Sequence, residues 1–332
     1  MLNLDKFNPA MLNKITLPID DKYQIDINHF RPYENGNLFN EKDYFQLHSS
    51  DANDLYVQLV HIASGKVHAT ITFYKDGDYL FTSPKRGTFG GIVLNAPIEM
   101  QLVEQFLSAI NQYLKKIGAR AISIKCPPFS HDVALSSIMT NILLRQGFKL
   151  SNHELNYEMV IDDRPFVDRI DYGNNKRIRK CIREGLFAEQ VDSADYPQVY
   201  QVIKENRARR GFPLTMSLEQ LGDMVKIFPD KMHFFAVYQD VEKSLMLASA
   251  VCIALSDSVL YVFYWGDVAG AESYSPTAML AFTIYAFCQK QGFKVLDVGT
   301  STVSGEPNYG LIKFKRNLGF SESLKLSFIW EN

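Results

Sequence analysis

Pro276 to Gly292 is an apolar-periodic stretch of helical length; Phe293-Lys-Val-Leu-Asp297-Val-Gly299 follows it, and a second helical pattern then ends Asn317-Leu-Gly319-Phe320. The same order occurs much earlier. Pro97 to Gly118 is helical in pattern, Ala119-Arg-Ala-Ile-Ser-Ile-Lys125 follows, and another helical pattern ends Arg145-Gln-Gly147-Phe148. The offsets agree: 292 − 118 = 174 and 319 − 147 = 172. A repeat near half of a 332-residue chain implies a duplicated domain. That length also gives each copy room for its own core.

Working outward, residues 55–62 and 66–74 alternate like strands around Ser64-Gly65, and 79–83 and 88–94 continue the sheet. The Pro97 helix, a short strand at 121–125, a helix opened by Asp132 and a closing strand at 154–161 complete a first domain, 1–163. After a linker, a second domain, 174–332, begins with a basic helix at 174–184 and a strand at 187–191. Asp195 is expected to cap the next helix, and Ser217-Leu-Glu-Gln220 is a capping box. Strands at 232–238, 245–255 and 258–265 then lead into the repeated segment. The expected class is α+β: two tandem domains, each a mostly antiparallel twisted sheet flanked by helices.

Composition narrows the function classes. A net charge of −2 argues against wholesale coating of nucleic acid, although a local basic patch is compatible with it. The N-terminal residues show no apolar signal-peptide core, and the longest apolar run, around 278–288, is far short of the roughly 20 residues that span a bilayer. Four scattered cysteines without C-x-x-C spacing read as reduced, mostly buried thiols. The expected location is therefore the cytoplasm. No H-x-x-x-H or Cys/His cluster exists, so no metal site is expected.

Two segments carry candidate chemistry. Ser275-Pro276-Thr277 starts a helix with Ser at the cap and Pro at the first position, and outward N–H groups there are a natural seat for phosphate. A well-capped structural helix is the plainer reading. The second segment, Asn308-Tyr309-Gly-Leu-Ile-Lys313-Phe314-Lys315-Arg316-Asn-Leu-Gly319-Phe320, resembles the last motif of the GCN5-related N-acetyltransferase (GNAT) fold. That family places an Asn where Asn308 stands and a proton-donating Tyr four residues before Gly-Phe, where this chain has Lys315. The lysine, the Arg177-Ile-Arg179-Lys180 helix and the Asp297-Val-Gly299 strand end make the chain resemble FemAB-like tandem acyltransferases, among them the Fem-type peptidoglycan-bridge aminoacyltransferases.

The resemblance implies an N-acyltransferase moving an acyl group from an acyl-CoA-type donor to a primary amine of a cell-wall or polysaccharide precursor. No permanently bound cofactor is implied, only acyl-CoA or aminoacyl-tRNA as co-substrate. The competing readings are an aminoacyl-tRNA-dependent Fem-type enzyme and an inactive GNAT-like ligand-binding protein; tRNA is admitted as a partner without being favoured. Lys315 would stabilise the oxyanion or donate a proton to the leaving group, and its plainer reading is a solvated helix lysine. Asp297 and Asp267 are the candidate bases, and Asp297 is costly on an apolar strand unless partnered. Tyr274, Ser275, Thr277, Thr300, Ser301, Asn308 and Phe314 are expected to line the donor site. Arg177, Arg179, Lys180 and Tyr309 are expected to hold a small-molecule or nucleotide-linked acceptor, and for several of the cations a solvated helix face is the plainer reading. Leu143 stands where Lys315 would in the first copy (147 − 4 = 143), so that copy is expected to be non-catalytic. The glycine-rich turn of acetyl-CoA-binding members is missing before Pro276, and Glu272 there would repel a pyrophosphate if it pointed inward.

Overall fold

A computed structural model describes residues 12–34, 36–271 and 273–332, so the expectation for Glu272 lies outside the described residues. The elements in chain order are β1 (Ile15–Pro18), β2 (Tyr23–Ile27), α1 (Lys42–His48), β3 (Leu55–His61), β4 (Val67–Asp76), β5 (Leu80–Ser83), β6 (Val93–Leu94), α2 (Met100–Lys116), β7 (Ala121–Lys125), α3 (Val133–Arg145) and β8 (Lys149–Val160). There follow α4 (Tyr172–Arg183), β9 (Phe187–Val191), α5 (Tyr196–Arg209), α6 (Leu218–Ile227), β10 (Met232–Tyr238), β11 (Met246–Ala254), β12 (Val259–Asp267), α7 (Pro276–Gln291), β13 (Val295–Thr300), β14 (Thr302–Val303), β15 (Glu306–Pro307), α8 (Tyr309–Asn317) and β16 (Ser321–Glu331).

The chain folds as two compact units: residues up to Glu154 joined by Leu324–Asn332, and Leu155–Ser323. In the first, the strand order is β1-β2-β3-β4-β5-β7-β16; β5 pairs with β7 in parallel and β16 pairs antiparallel with β7. In the second the order is β8-β13-β12-β11-β10-β9, with β12 parallel to β13 and β8 antiparallel to β13. Each unit is thus a largely antiparallel sheet containing one parallel pair, bridged by α2 in one case and α7 in the other. Parallel neighbours require such a crossover.

The expected boundary at 163 is corrected by this pairing. Residues 156–160, read as the closing strand of the first domain, pair with β13 of the second unit, while Ser327–Glu331 pair with β7 of the first. Each unit completes its sheet with a strand from the other half of the sequence, an exchange that alternation alone does not reveal. Other elements differ in detail. The expected strand at 88–94 shrinks to β6, and β1, β2 and α1 precede the first strand expected from the sequence. Asp195 sits at the start of α5 without a capping side-chain bond, whereas Ser217 and Gln220 form the capping box.

The two cores follow from helical periodicity. α2 turns Leu102, Val103, Phe106, Leu107, Ile110 and Leu114 inward onto the first sheet. α7 is apolar nearly all round and buries Leu280, Ala281, Ile284, Tyr285 and Cys288. All four cysteines are buried. Among the described residues no helix is long and apolar enough to cross a membrane.

Candidate active site

The second unit's parallel pair is short. β12 and β13 pair over Val259–Tyr261 against Val295–Asp297 and then part. On its other side β13 carries one extra residue, since Asp297 faces Glu158 and Thr300 faces Asn156. This is a β-bulge, which bends its strand and re-aims the groups around it. Gly299 makes it: its φ of +74° lies in the region that side chains disfavour. The Asp297 carboxylate fixes the turn by accepting from Gly299 N–H at 2.7 Å and from Asn156 Nδ2 at 2.9 Å.

The bulge frees the carbonyls of Gly299 and Thr300 for Lys315, whose Nζ donates to them at 2.8 and 3.0 Å. Lys315 arrives from the last turn of α8 and is only 1% exposed, correcting the reading of a solvated lysine. Its Nζ also lies 5.5 Å from the centre of the Tyr157 ring. Burial pushes the amine down from its ordinary 10.5 to about 7, while the charges of Asp297 and then Glu158 pull the other way. Glu158 is itself buried and accepts from Asn156 Nδ2 at 3.0 Å, so this amide bridges both carboxylates. The result is one lysine poised near neutrality, held by two carbonyls and acted on by the charges of two carboxylates.

Of the residues singled out in the sequence, the structure brings Lys315, Asp297, Thr300 and Ser301 together. Ser301 is buried, donates its N–H to Leu155 at 2.8 Å, and its Oγ has no hydrogen-bond partner among the described residues. Asn308 caps α8 by accepting from Leu311 N–H at 3.0 Å and so orients the helix. Phe314 packs edge-on against Trp265, and Tyr309 is exposed. Asp267 stands apart. It lies six residues, about 20 Å, beyond Tyr261, the strand partner of Asp297. Arg209 and Asn206 donate to its carboxylate at 2.7 and 2.6 Å, an arrangement that anchors α5 to the end of β12.

The start of α7 is held from α4. Lys180 Nζ donates to the Ser273 carbonyl at 3.0 Å and Cys181 Sγ to that of Tyr274 at 2.9 Å. Pro276 opens the helix as expected, but Ser275 at the cap is left-handed, φ +55°, and makes no capping side-chain bond. Thr277 is half-buried in the first turn, which contains no acidic residue. Arg177 donates to Asn174 Oδ1 at 2.9 Å and, like Arg179, is exposed. Among the described residues no group of three or more His, Cys, Asp or Glu side chains could hold a metal.

In the first unit the position equivalent to Lys315 is Leu143, fully buried in an apolar core. Two adjoining hollows of about 490 and 570 Å³ in that unit share Gln101 and Gln105 of α2; Lys315 lines neither.

Sequence reasoning missed Asn156, Tyr157 and Glu158. Polar residues at 154, 156 and 158 alternating with apolar ones give the pattern of an ordinary half-exposed strand, which its place in the sequence puts with the first domain.

The fold is the duplicated GNAT-like one that the sequence resembles. The chain is similar to the crystal structure of FemX, with a TM-score of 0.68 over 97% of this chain and 98% of that one at 15% identity. It is also similar to the structure of L-PGS from Bacillus licheniformis (TM-score 0.55, 11% identity, 81% and 82% of the chains). The C-terminal domain of a putative lysylphosphatidylglycerol synthetase from Agrobacterium fabrum gives 0.53 at 10% identity, again over 81% and 82%. No protein-family model and no curated protein matches the chain.

Proposed function

We propose that the second unit is an N-acyltransferase site in which Lys315 serves acyl transfer from an activated donor to a primary amine. The observation that carries this reading is a buried lysine near neutrality where two parallel strands part. Attack of an amine on an acyl carbonyl builds an oxyanion, and a fixed ammonium beside it is worth roughly 3–4 kcal/mol by analogy with oxyanion-hole donors. An amine with a pKa near the working pH also gives up and regains a proton readily. Lys315 would protonate the departing thiolate or ribose alkoxide and recover a proton from the acceptor nitrogen, leaving the enzyme unchanged. Asp297 holds the bulge that presents the Gly299 carbonyl, so its part is positioning.

The donor is taken to lie along the parted strand ends, with its phosphates at the start of α7 near Tyr274, Ser275 and Thr277. An acyl-CoA suits that placement. A second reading, aminoacyl-tRNA as donor, is favoured by the likeness to FemX along the whole chain and by the missing glycine-rich turn before Pro276. In either case the acceptor is an amine of a cell-wall or polysaccharide precursor. Calorimetry with acetyl-CoA, longer acyl-CoAs and charged tRNA tests the reading: one of these donors should bind, and binding of none would leave an inactive ligand-binding protein.

A further inference from the structure

Helix α4 carries five cations, Lys176, Arg177, Arg179, Lys180 and Arg183, and no acidic residue. The whole chain has 35 basic and 37 acidic residues, so the remainder holds 30 against 37, a balance of −7. A helix of one sign on a body of the other is a localised patch. Its inward face is formed by Asn174, Ile178 and Cys181. Lys176, Arg179 and Arg183, at i, i+3 and i+7, share the opposite face, and all three are exposed. Tyr172 stands four residues before Lys176 on the same face and is 83% exposed, and Ile182 at the far end is 57% exposed.

Two of the cations are engaged within the protein: Arg177 with Asn174, and Lys180 with Ser273 and with Glu184 at 3.8 Å. Lys176, Arg179 and Arg183 make no ion pair among the described residues. Nearby acids offset them only in part: Asp168 and Asp171 precede the helix, and Glu184 after it pairs with Lys180, so three carboxylates stand against five cations.

We propose that the outer face of α4 docks the protein on an anionic phospholipid surface. The face runs about 16 Å along the helix, presents three uncommitted cations to lipid phosphates, and is flanked by a Tyr and an Ile suited to the headgroup boundary. Nucleic acid is the weaker fit. One convex helix meets few phosphates, and the exposed Ile182 gains nothing from them, whereas a bilayer rewards both the charge and the apolar end. This docking is independent of the acyl-transfer reading.

The test is co-sedimentation of the full-length protein with vesicles of phosphatidylcholine alone or with about 30% phosphatidylglycerol, at about 0.1 M salt. The protein should bind the anionic vesicles and be released at high salt. The triple variant Lys176→Gln, Arg179→Gln, Arg183→Gln should bind on the order of 100-fold more weakly, with an unchanged melting temperature because all three side chains are exposed. Tyr172→Ser with Ile182→Ser should weaken binding several-fold while keeping the salt dependence. Equal binding to neutral vesicles, no binding, or equal binding by the triple variant overturns the proposal. With charged tRNA as a parallel probe, a triple variant that loses tRNA binding but keeps vesicle binding also overturns it and assigns the face to nucleic acid.

Discussion

Replacing Lys315 by Met removes the titrating group on which the site depends, and the consequence for stability can be worked out. In the folded chain the amine sits at about 7 against its ordinary 10.5, chiefly because it is buried. Between those values the unfolded chain keeps a proton that the folded lysine has released, so stability rises with pH across that window. Below about pH 7 both states are protonated and this contribution is flat. From about pH 6 to about pH 8.5 the rise is about 2 kcal/mol, approaching a slope of about 1.4 kcal/mol per pH unit. Urea unfolding of wild type and Lys315→Met across that range measures it, and the wild type should gain on the variant by about that amount. The Lys315 Cε resonance, followed by NMR, should titrate near 7. A resonance titrating near 10.5, together with a wild-type-to-variant difference that is flat in pH, would refute the reasoning.

Gly299→Ala forces a side chain into the left-handed region and should cost about 1–2 kcal/mol in urea unfolding; a change near zero would mean the bulge is not where the structure places it. Asp267→Ala should destabilise the fold by about 1.5–3 kcal/mol, because Arg209 and Asn206 lose their charged acceptor, yet leave the Lys315 titration in place; a shifted titration would join Asp267 to the site after all. Leu143→Lys buries an ammonium without waiting carbonyls or carboxylates and should cost more than about 3 kcal/mol. Ready tolerance of that lysine would show that the first unit still holds a site of the same kind.

The repeat made the double architecture legible, because the apolar period of α2 and α7 and the glycines after each survive in both copies. Lys315 entered through resemblance and not through spacing. The motif from Asn308 to Phe320 picks it out, whereas the residue types around it fit a solvated lysine; its burial shows only in the folded chain. What stayed hidden was long-range. Asn156 and Glu158 lie on a strand whose own alternation fits either unit, and only pairing with β13 turns their polar face into a buried one. Asp267 looked like a base because it ends a strand, and nothing local shows that Arg209, 58 residues earlier, already holds it. Ser275 has the composition of a cap, but its left-handed backbone carries the hydroxyl away from that role.

The most direct measurement follows discharge of acetyl-CoA and of charged tRNA by the purified protein in the presence of primary amines, for wild type and for Lys315→Met. The account predicts that one donor is discharged with its acyl group appearing on an amine, and that the variant is slower by on the order of 100-fold or more with its fold intact. Equal rates for the two proteins, or no discharge of either donor by the wild type, would contradict it.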